Sequence, residues 1–405
     1  MSIRIEDLIH ERGPMTVAAF MDLALYGPSL GYYARAAQRS GRAGDFYTSV
    51  DVGPLFGDLL ELQIAEMSDI LDAGSGGLAT DLGERPGAGE RRDMAVDLVE
   101  AGAGNGRLSA DILRAAKDRH PELFTRLRLH LVESSPEARR AQPATLADVA
   151  TRLTSSSDSL PEVFEGILVA NELLDALPVH QVVMREDGLR EVYVCAGDDR
   201  PALDTPRSRA LEALPGGGSR LSTLEGPLST PALGEYLTRV GVELECGSRA
   251  EINLKAVEWI RAAARQLRRG FIILIDYGHE ARDLYSASHA SGTLTSFARH
   301  TMAGPDTTAP VWLERPGDQD LTAHVDFTSV RAAAESEGMV TLGFLDQTYF
   351  VLGLVRDRAE QIANRTALKT LMMPGGLGST HKVLLLGKGV GHPALRGCSF
   401  AQRVT

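Results

Sequence analysis

The sequence has few cysteines, no long apolar run and no excess of positive charge. Its 405 residues include only three cysteines, Cys195, Cys246 and Cys398, which lie far apart and form no C-x-x-C pair. This spacing excludes a disulfide framework and a zinc ribbon, and isolated thiols of this kind favour a reducing compartment. No apolar run approaches the roughly 20 residues that a membrane-spanning helix requires. We therefore expect no membrane partner.

The charge balance is acidic, with 42 Lys and Arg residues against 54 Asp and Glu residues and a formal net charge of −12. A nucleic-acid-binding protein normally carries a basic face, so we expect no nucleic-acid partner. The first residues lack the apolar core of a secretory signal and the arginine-rich composition of a transit peptide. These features together predict a cytoplasmic protein.

Four short apolar runs separated by helical patterns predict an α/β fold. The runs cover residues 95–99, 127–132, 166–170 and 271–275. Because the runs are almost entirely apolar, they are typical of parallel strands that helices cover on both faces. Helical spacing also appears before them, in a predicted N-terminal helical and lid segment at residues 1–68.

The remaining segments divide the chain around this predicted sheet. The cofactor-binding core is expected at 94–195 and 253–390, and residues 72–93 are expected to form an irregular insertion. A flexible excursion with one helix is expected at 196–252, and substrate-mouth loops at 280–326. Residues 349–353 and 383–386 resemble further strands. No His, Cys, Asp and Glu spacing typical of a metal site is present, so we predict none.

A glycine-rich loop follows the first predicted strand and precedes a helix. It reads Glu100-Ala-Gly102-Ala-Gly104-Asn-Gly106. Glycines allow a sharp turn and a close approach of ligand to backbone. The E-x-G-x-G-x-G spacing differs from the dinucleotide pattern and favours S-adenosylmethionine, whose ammonium group Glu100 is placed to bind. A glycine-rich turn without a ligand remains the alternative interpretation.

Acidic residues also end the second and third predicted strands. Glu133 stands where an acid commonly bonds ribose hydroxyls in such folds. Asn171, Glu172 and Asp175 follow the third strand, at the sheet edge where α/β proteins bind ligands. Their spacing predicts a helical turn with both acids on one face, able to hold a guanidinium or accept a proton. The alternative is a helix start whose acids only favour the helix dipole.

The chain resembles the MidA-like family of S-adenosylmethionine-dependent methyltransferases, with matching motifs in order along most of its length. These motifs include Gly13-Pro14-Met15, Leu25-Tyr26-Gly27-Pro28, Gly44-Asp45-Phe46-Tyr47-Thr48-Ser49, the glycine-rich loop, Leu131-Val132-Glu133-Ser134-Ser135-Pro136, Asn171-Glu172-Leu173-Leu174-Asp175-Ala176-Leu177-Pro178, Ile275-Asp276-Tyr277-Gly278 and Asp320-Leu321-Thr322-Ala323-His324-Val325-Asp326-Phe327. The insertions at 72–93 and 196–232 depart from the family pattern.

The resemblance implies a class I methyltransferase fold. This is a Rossmann-like, mostly parallel sheet with an N-terminal helical segment and inserted α+β and loop elements over the active-site mouth. It also implies protein arginine methylation, and mitochondrial members of the family assist assembly of respiratory complex I. Glu172 resembles the first acid of the double-glutamate hairpin of arginine methyltransferases. The second acid has no counterpart unless Asp175 serves.

These observations assign provisional roles to individual residues. The expected cofactor ligands are Glu100, Gly102, Gly104, Gly106, Glu133, Ser134, Asp158 near the adenine, Asn171, and a lid of Asp45, Thr48 and Ser49. Glu172 is expected to orient or deprotonate the nucleophile, with support from Asp175. The expected substrate-mouth residues are His180, Asp276, Tyr277 and His324. A hydroxyl acceptor would need a base, and His180 or His324 would suit that role better than a carboxylate.

Two other functions remain as alternatives. One is a small-molecule O- or N-methyltransferase of a biosynthetic pathway. The other is an assembly chaperone that binds S-adenosylmethionine without catalysis. The acceptor is therefore expected to be either a protein or a small molecule.

Overall fold

A computed structural model describes residues 4–35, 48–74, 94–196, 221–298, 301–303, 310–356, 362–374 and 376–400. The helices are α1 (Ile5–Arg12), α2 (Val17–Tyr26), α3 (Leu55–Gly74), α4 (Arg107–Arg119), α5 (Pro121–Arg126), α6 (Pro136–Leu146), α7 (Ala232–Val240), α8 (Leu254–Gln266), α9 (Ala281–Leu284), α10 (Phe327–Ser336), α11 (Gln347–Val355), α12 (Arg365–Met372) and α13 (Leu377–Thr380). Within these described ranges, none of the helices is long and apolar enough to span a bilayer.

Sixteen strands accompany the helices in the described residues. They are β1 (Met15–Thr16), β2 (Val96–Ala101), β3 (Leu127–Val132), β4 (Leu153–Ser157), β5 (Phe164–Asn171), β6 (His180–Arg185), β7 (Gly188–Ala196), β8 (Leu221–Gly226), β9 (Arg249–Ile252), β10 (Leu267–His279), β11 (Thr295–Ala298), β12 (Thr301–Ala303), β13 (Asp320–Thr322), β14 (Val325–Asp326), β15 (Val340–Asp346) and β16 (His381–Lys388).

The main sheet has the order β4-β3-β2-β5-β10-β16-β15, and β14 also pairs with β10. The first five strands in this order, from β4 through β3, β2 and β5 to β10, are parallel. Strand β16 runs antiparallel to both of its neighbours, β10 and β15. The strand order reverses between β2 and β5, so a crevice forms there beyond the carboxyl ends of the strands. This sheet confirms the predicted α/β class, and all four predicted strands lie in it.

Two apolar cores cover the faces of this sheet because neighbouring strand residues point in opposite directions. Leu98 packs with α3, α4 and α11 on one face, while Val99 packs with α7, α8 and α10 on the other. Both side chains are almost fully buried. This double coverage explains why the strand sequences are continuous apolar runs.

A second, antiparallel sheet contains β1, β6, β7, β8 and β9. Met15 pairs with Val194 and Thr16 pairs with Tyr193, so the N-terminal segment joins this sheet. A third core forms between the sheet and helices α1 and α2. The sequence prediction placed residues 180–195 in the main core, but they belong to this separate layer. Pairing between residues almost 180 positions apart leaves no local signal in the sequence.

Several other predicted segments differ from the structure. The 196–252 excursion contains β8 and β9 as well as a helix, and 280–326 contains strands β11 to β14. Residues 72–74 end α3, and the rest of the predicted insertion lies outside the described residues. Residues 349–353 form part of α11 rather than a strand. Their apolar run is buried on several sides, so it carries no helical periodicity.

Candidate cofactor and acceptor site

The glycine-rich loop lies at the reversal point of the main sheet. Gly102, Gly104 and Gly106 have φ values of +72°, +50° and +84°. The backbone N–H groups of Gly102 and Ala103 both donate to the Val132 carbonyl at 3.0 Å, which fixes the loop against the end of β3. A Cβ atom at Gly104 would meet nothing within 4 Å. At Gly104 the loop therefore presents bare backbone to open space, as a ligand-binding turn requires.

Glu133 directly follows β3 and stabilises the same loop. Its Oε2 accepts a hydrogen bond from the Gly104 N–H at 2.8 Å, and its Oε1 accepts one from the Ser135 N–H at 2.7 Å. Oε1 also accepts a hydrogen bond from the Ser134 hydroxyl at 3.3 Å. Oε2 has a second lone pair, so it keeps acceptor capacity for a ribose hydroxyl. The sequence reasoning predicted the ribose role but not the bond to the loop. Ser134 is exposed beside it.

Glu100 is buried at the end of β2 and contacts α4. Its Oε2 accepts hydrogen bonds from the backbone N–H of Ser109, at 3.1 Å, and from the Ser109 hydroxyl. Burial raises the pKa of Glu100 from 4.5 to about 7, although the Ser109 bonds oppose the shift. The ammonium contact expected from the sequence stays a prediction, and the structure adds a role in holding the start of α4.

We expect Glu100→Gln to stabilise the ligand-free protein at alkaline pH. Because the folded-state pKa is raised to about 7, the native state binds this proton more tightly than the unfolded state. Stability from this group is therefore complete below about pH 4.5 and is lost as the pH rises to 7. The variant should gain roughly 3 kcal/mol in unfolding free energy over the native protein between pH 4.5 and 8.

Denaturant unfolding at pH 5 and pH 8 measures this difference. Exposed Glu162 supplies the matched control, since Glu162→Gln should follow the native protein at both pH values. An equal effect of Glu100→Gln at both pH values would contradict the shifted titration.

Residues 48–52 connect the glycine-rich loop to the acidic residues after β5. Ser49 is fully buried, and its N–H donates to Glu172 Oε1 at 3.2 Å while its hydroxyl donates to Gln347 at 3.1 Å. Thr48 donates to Asp51, and Asp51 forms an ion pair with Arg107 at the start of α4. Ser49 thus lies beside Glu172, and the lid role of Thr48 and Ser49 stays a prediction. Asp45 lies outside the described residues.

Glu172 occupies an unusual backbone conformation immediately after β5. Its φ is +50°, in the left-handed region that non-glycine residues rarely adopt, and its N–H donates to the Ile275 carbonyl at 2.8 Å. Its side chain is 12% exposed, and Oε1 lies 3.6 Å from His381 Nε2. Such strain is typical of functional sites. The backbone conformation of Glu172 places its carboxylate between Ser49 and His381.

The segment after Glu172 is an irregular turn rather than the predicted helical turn. Asp276, which is buried near the end of β10, holds it by accepting hydrogen bonds from the N–H groups of Leu173, Leu174 and Asp175 at 2.8–3.3 Å. These bonds take the place of the backbone hydrogen bonds that a helical turn would form. Asp276 therefore positions the turn, and Glu172 and Asp175 still come within electrostatic range of each other.

Asp175 is buried near Glu172. Its Oδ2 accepts a hydrogen bond from the Thr322 hydroxyl at 2.8 Å, and Thr322 also contacts the Tyr277 hydroxyl. Its Oδ1 has no hydrogen-bond partner among the described residues. Burial raises the pKa of Asp175, and the neighbouring charge of Glu172 raises it further. Burial also raises the pKa of Asp276, with added repulsion from Asp175 and Glu172.

The predicted histidines separate into two places. His180 does not contact the acidic pair in the described structure, because its Nδ1 bonds Glu191 of the second sheet at 2.7 Å. His324 packs edge-on against Tyr277, with ring centroids 5.5 Å apart. His381, which the sequence reasoning missed, lies nearer to Glu172. It begins β16, almost 210 residues from Glu172 in sequence, so only the antiparallel pairing of β10 with β16 places it there.

Three further observations complete the site. Asp158 is exposed just beyond β4, at the same edge of the sheet. Asn171 Oδ1 is buried without a hydrogen-bond partner in the described residues. The sequence reasoning also missed Tyr26, whose hydroxyl donates to the Ala176 carbonyl at 3.0 Å, and this bond ties the end of α2 to the turn.

Known proteins similar to this chain identify its family. Residues 86–345 match a family described as S-adenosyl-L-methionine-dependent methyltransferase. The chain is 28% identical to the Danio rerio "Protein arginine methyltransferase NDUFAF7, mitochondrial", covering 86% of this chain and 75% of the relative. The Mus musculus protein of the same name is also 28% identical, covering 94% of this chain and 78% of the relative.

A solved structure is similar over nearly the whole fold. It is a COG1565 superfamily member from Burkholderia thailandensis, determined with bound S-adenosyl-homocysteine. The identity is 27%, the TM-score is 0.79, and the match covers 98% of this chain and 94% of that one. S-adenosyl-homocysteine is what remains of S-adenosylmethionine after methyl transfer, so the predicted cofactor is confirmed.

The relatives correct one prediction from the sequence. The cytoplasmic location is contradicted, because the curated relatives from zebrafish, mouse and fly are all named mitochondrial. Cysteine content could not distinguish these compartments, since it reports only the lack of a disulfide framework.

The family match spans both the glycine-rich loop and the acidic turn, and the fold places these two elements at one crevice. The prediction drawn from the MidA-like motifs is thereby confirmed. The chain belongs to the family of S-adenosylmethionine-dependent methyltransferases.

Proposed function

We propose that the protein transfers a methyl group from S-adenosylmethionine to an arginine side chain of a protein substrate. The observation that carries this proposal is the acidic pair of partly buried Glu172 and buried Asp175 near the glycine-rich loop. No Lys or Arg within the described ranges forms an ion pair with either carboxylate. The curated relatives named as protein arginine methyltransferases support the same acceptor.

The acceptor atoms around Glu172 suit a planar cation. Asp175 Oδ1 and Asn171 Oδ1 are buried without hydrogen-bond partners in the described structure. Together with the Glu172 carboxylate they offer several oxygen acceptors, and a guanidinium offers five N–H donors in one plane. Paired carboxylates can bind such a fork in a fixed orientation. A neutral hydroxyl would leave most of these acceptors unsatisfied.

The electrostatics of the turn favour the same substrate class. Glu172, Asp175 and Asp276 lie within electrostatic range, and their repulsion adds to burial in raising the pKa values of Asp175 and Asp276. A bound guanidinium would compensate this repulsion and lower both pKa values. Arginine remains protonated at neutral pH, so Glu172 acts mainly by aligning it and by stabilising positive charge during transfer.

The residues of the crevice fit S-adenosylmethionine, which supplies an activated methyl group when bound. Open space in front of Gly104 leaves room for it beside the loop. Glu133 and Asn171 are proposed to bind it together with Gly102, Gly104, Gly106, Glu100 and Ser134. Asp158 is proposed to lie near the adenine. Asp45, Thr48 and Ser49 are proposed to cover the methionine end, since Ser49 already bonds Glu172.

One observation favours a second candidate, a hydroxyl-bearing small molecule. His381 Nε2 is buried, lies 3.6 Å from Glu172 Oε1 and has no hydrogen-bond partner within the described residues. An imidazole paired with a carboxylate can remove a proton from a hydroxyl. A hydroxyl as methyl acceptor therefore requires His381 as a base, whereas an arginine does not.

Labelled methyl transfer tests the proposal. The purified protein is incubated with radiolabelled S-adenosylmethionine and total protein from cells that lack this gene. Acid hydrolysis of the protein fraction should yield labelled methylarginine, and His381→Asn should retain activity within about tenfold because arginine needs no strong base. Mass spectrometry of the labelled protein then identifies the modified partner.

Two findings together would replace arginine with the small-molecule acceptor. The label would be found only in small molecules, and His381→Asn would lose turnover while it still binds the cofactor. His180→Asn supplies the matched histidine control, because His180 bonds Glu191 in the second sheet. It should behave like the native protein with either acceptor.

A further inference from the structure

Three histidines from separate segments converge beyond the carboxyl end of β10. His279 ends β10, His289 lies in the short 3-10 helix Ala287–His289, and His324 lies between β13 and β14. One ring nitrogen from each lies within 4.8 Å of those of the other two. The ring centroids are 5.0 Å apart for His279 and His289, 5.4 Å for His279 and His324, and 5.9 Å for His289 and His324.

The hydrogen bonds of these rings leave nitrogen lone pairs free. His289 Nδ1 lies 3.0 Å from the Asp283 carbonyl oxygen. Because a carbonyl can only accept, Nδ1 carries the proton and Nε2 keeps its lone pair. In metal-binding histidines, the ring nitrogen that does not bind the metal typically donates a hydrogen bond to a carbonyl or carboxylate. His324 Nδ1 is buried with no hydrogen-bond partner among described residues.

The surroundings keep the rings in the form that binds metals. Burial and the neighbouring histidines lower the pKa of His324 from 6.5 to about 4. The same causes lower the pKa of His279. Both shifts favour the neutral imidazole, which is the metal-binding form. A site made of neutral imidazoles suits zinc and similar transition metals rather than magnesium or calcium.

We propose that His279, His289 and His324 bind one Zn²⁺ ion, with water at the fourth position. Zinc–nitrogen bonds of about 2.0–2.1 Å place the ligand atoms of a tetrahedral site about 3.3 Å apart. The nitrogens are at most 4.8 Å apart, so small side-chain rotations bring them into range. None of the three residues is fully buried, which leaves a path for the ion.

The proposed zinc site adjoins the acceptor site through one aromatic side chain. The Tyr277 ring packs edge-on against both His324 and His381, at centroid distances of 5.5 and 5.7 Å. Zinc would join the end of β10 to the 289 and 324 segments and so steady the wall of the acceptor site. The sequence predicted no metal, because ligands 10 and 35 residues apart match no known spacing.

Zinc titration of the full-length protein tests the site directly. After treatment with a chelator and its removal, Zn²⁺ alone is added and binding is followed by calorimetry. We expect one ion per chain. Each of His279→Asn, His289→Asn and His324→Asn should weaken binding by more than the roughly 10–100-fold typical of losing an outer-shell partner. His392→Asn removes an exposed histidine outside the cluster and should bind like the native protein.

Cobalt gives a second measurement that needs no variant. Co²⁺ bound by three imidazoles in a four-coordinate site should show intense visible absorption, and added Zn²⁺ should remove it. Weak absorption like that of hydrated Co²⁺, or zinc affinity equal in the native and His289→Asn proteins, would overturn the proposal. These measurements do not depend on methyl transfer, so they stand apart from the identity of the acceptor.

Discussion

Replacing Glu172 by glutamine should lower kcat by about 100- to 10,000-fold, the range typical of losing a positioned acid–base or charge-aligning group. Glutamine keeps the side-chain shape, and its carbonyl oxygen can still accept the hydrogen bond from the Ser49 N–H. It removes the negative charge that aligns and stabilises a cationic acceptor. Cofactor affinity should stay near the native value, because the glycine-rich loop and Glu133 are unchanged. Turnover and calorimetric cofactor binding measure the two effects separately.

A buried glutamate remote from the crevice supplies the control for this variant. Glu61 is fully buried in α3, where it bonds Arg119 and His120. Glu61→Gln removes a buried charge as Glu172→Gln does, but it should leave kcat near the native value. If Glu172→Gln lost cofactor affinity as well as turnover, Glu172 would be a cofactor ligand. If the variant kept native turnover, Glu172 would have no role in catalysis.

Replacing Gly104 by valine should weaken cofactor binding by at least about 100-fold, which corresponds to roughly 2.7 kcal/mol. Gly104 has φ +50°, and the space beside its Cα is open within 4 Å. The branched side chain would therefore occupy the space that the cofactor needs rather than clash with the protein. Calorimetric titration with S-adenosyl-homocysteine measures the loss.

The strain of valine in a left-handed conformation must be separated from this steric effect. Gly241, which ends α7, has φ +67° and equally open space around its Cα. Gly241→Val should therefore lose similar folding stability while it binds the cofactor normally. Equal cofactor affinities for the two variants would show that the ligand does not approach Gly104.

Local patterns were sufficient to predict that the four central strands exist, but the predicted ends matched only for β3. The run at 127–132 coincides with β3, and Thr16 caps α2 through a 3.2 Å bond from the Ala19 N–H. Buried parallel strands and helix caps depend on residues that are adjacent in sequence, so short segments are enough to predict them. The same local rules failed at 349–353, where burial on several sides removed the periodicity of α11.

The acceptor site was only partly predictable for a related reason. Glu172 and Asp175 were identified because polar residues that follow an apolar strand stand out. Their local conformation was not, because Asp276 replaces helical hydrogen bonds with its own carboxylate from 101–103 residues away. A contact of that range leaves no trace in the spacing of the turn.

The sequence by itself determined the fold class, the cofactor loop and the acidic residues at the ends of the strands. These features follow from apolar runs, glycine spacing and the order of short motifs. Only the tertiary structure decided which distant residues meet: His381 and Ser49 beside Glu172, and three histidines from separate segments in one cluster. The physical reason is that strand pairing sets these distances, and pairing partners are chosen by the packing of the whole chain.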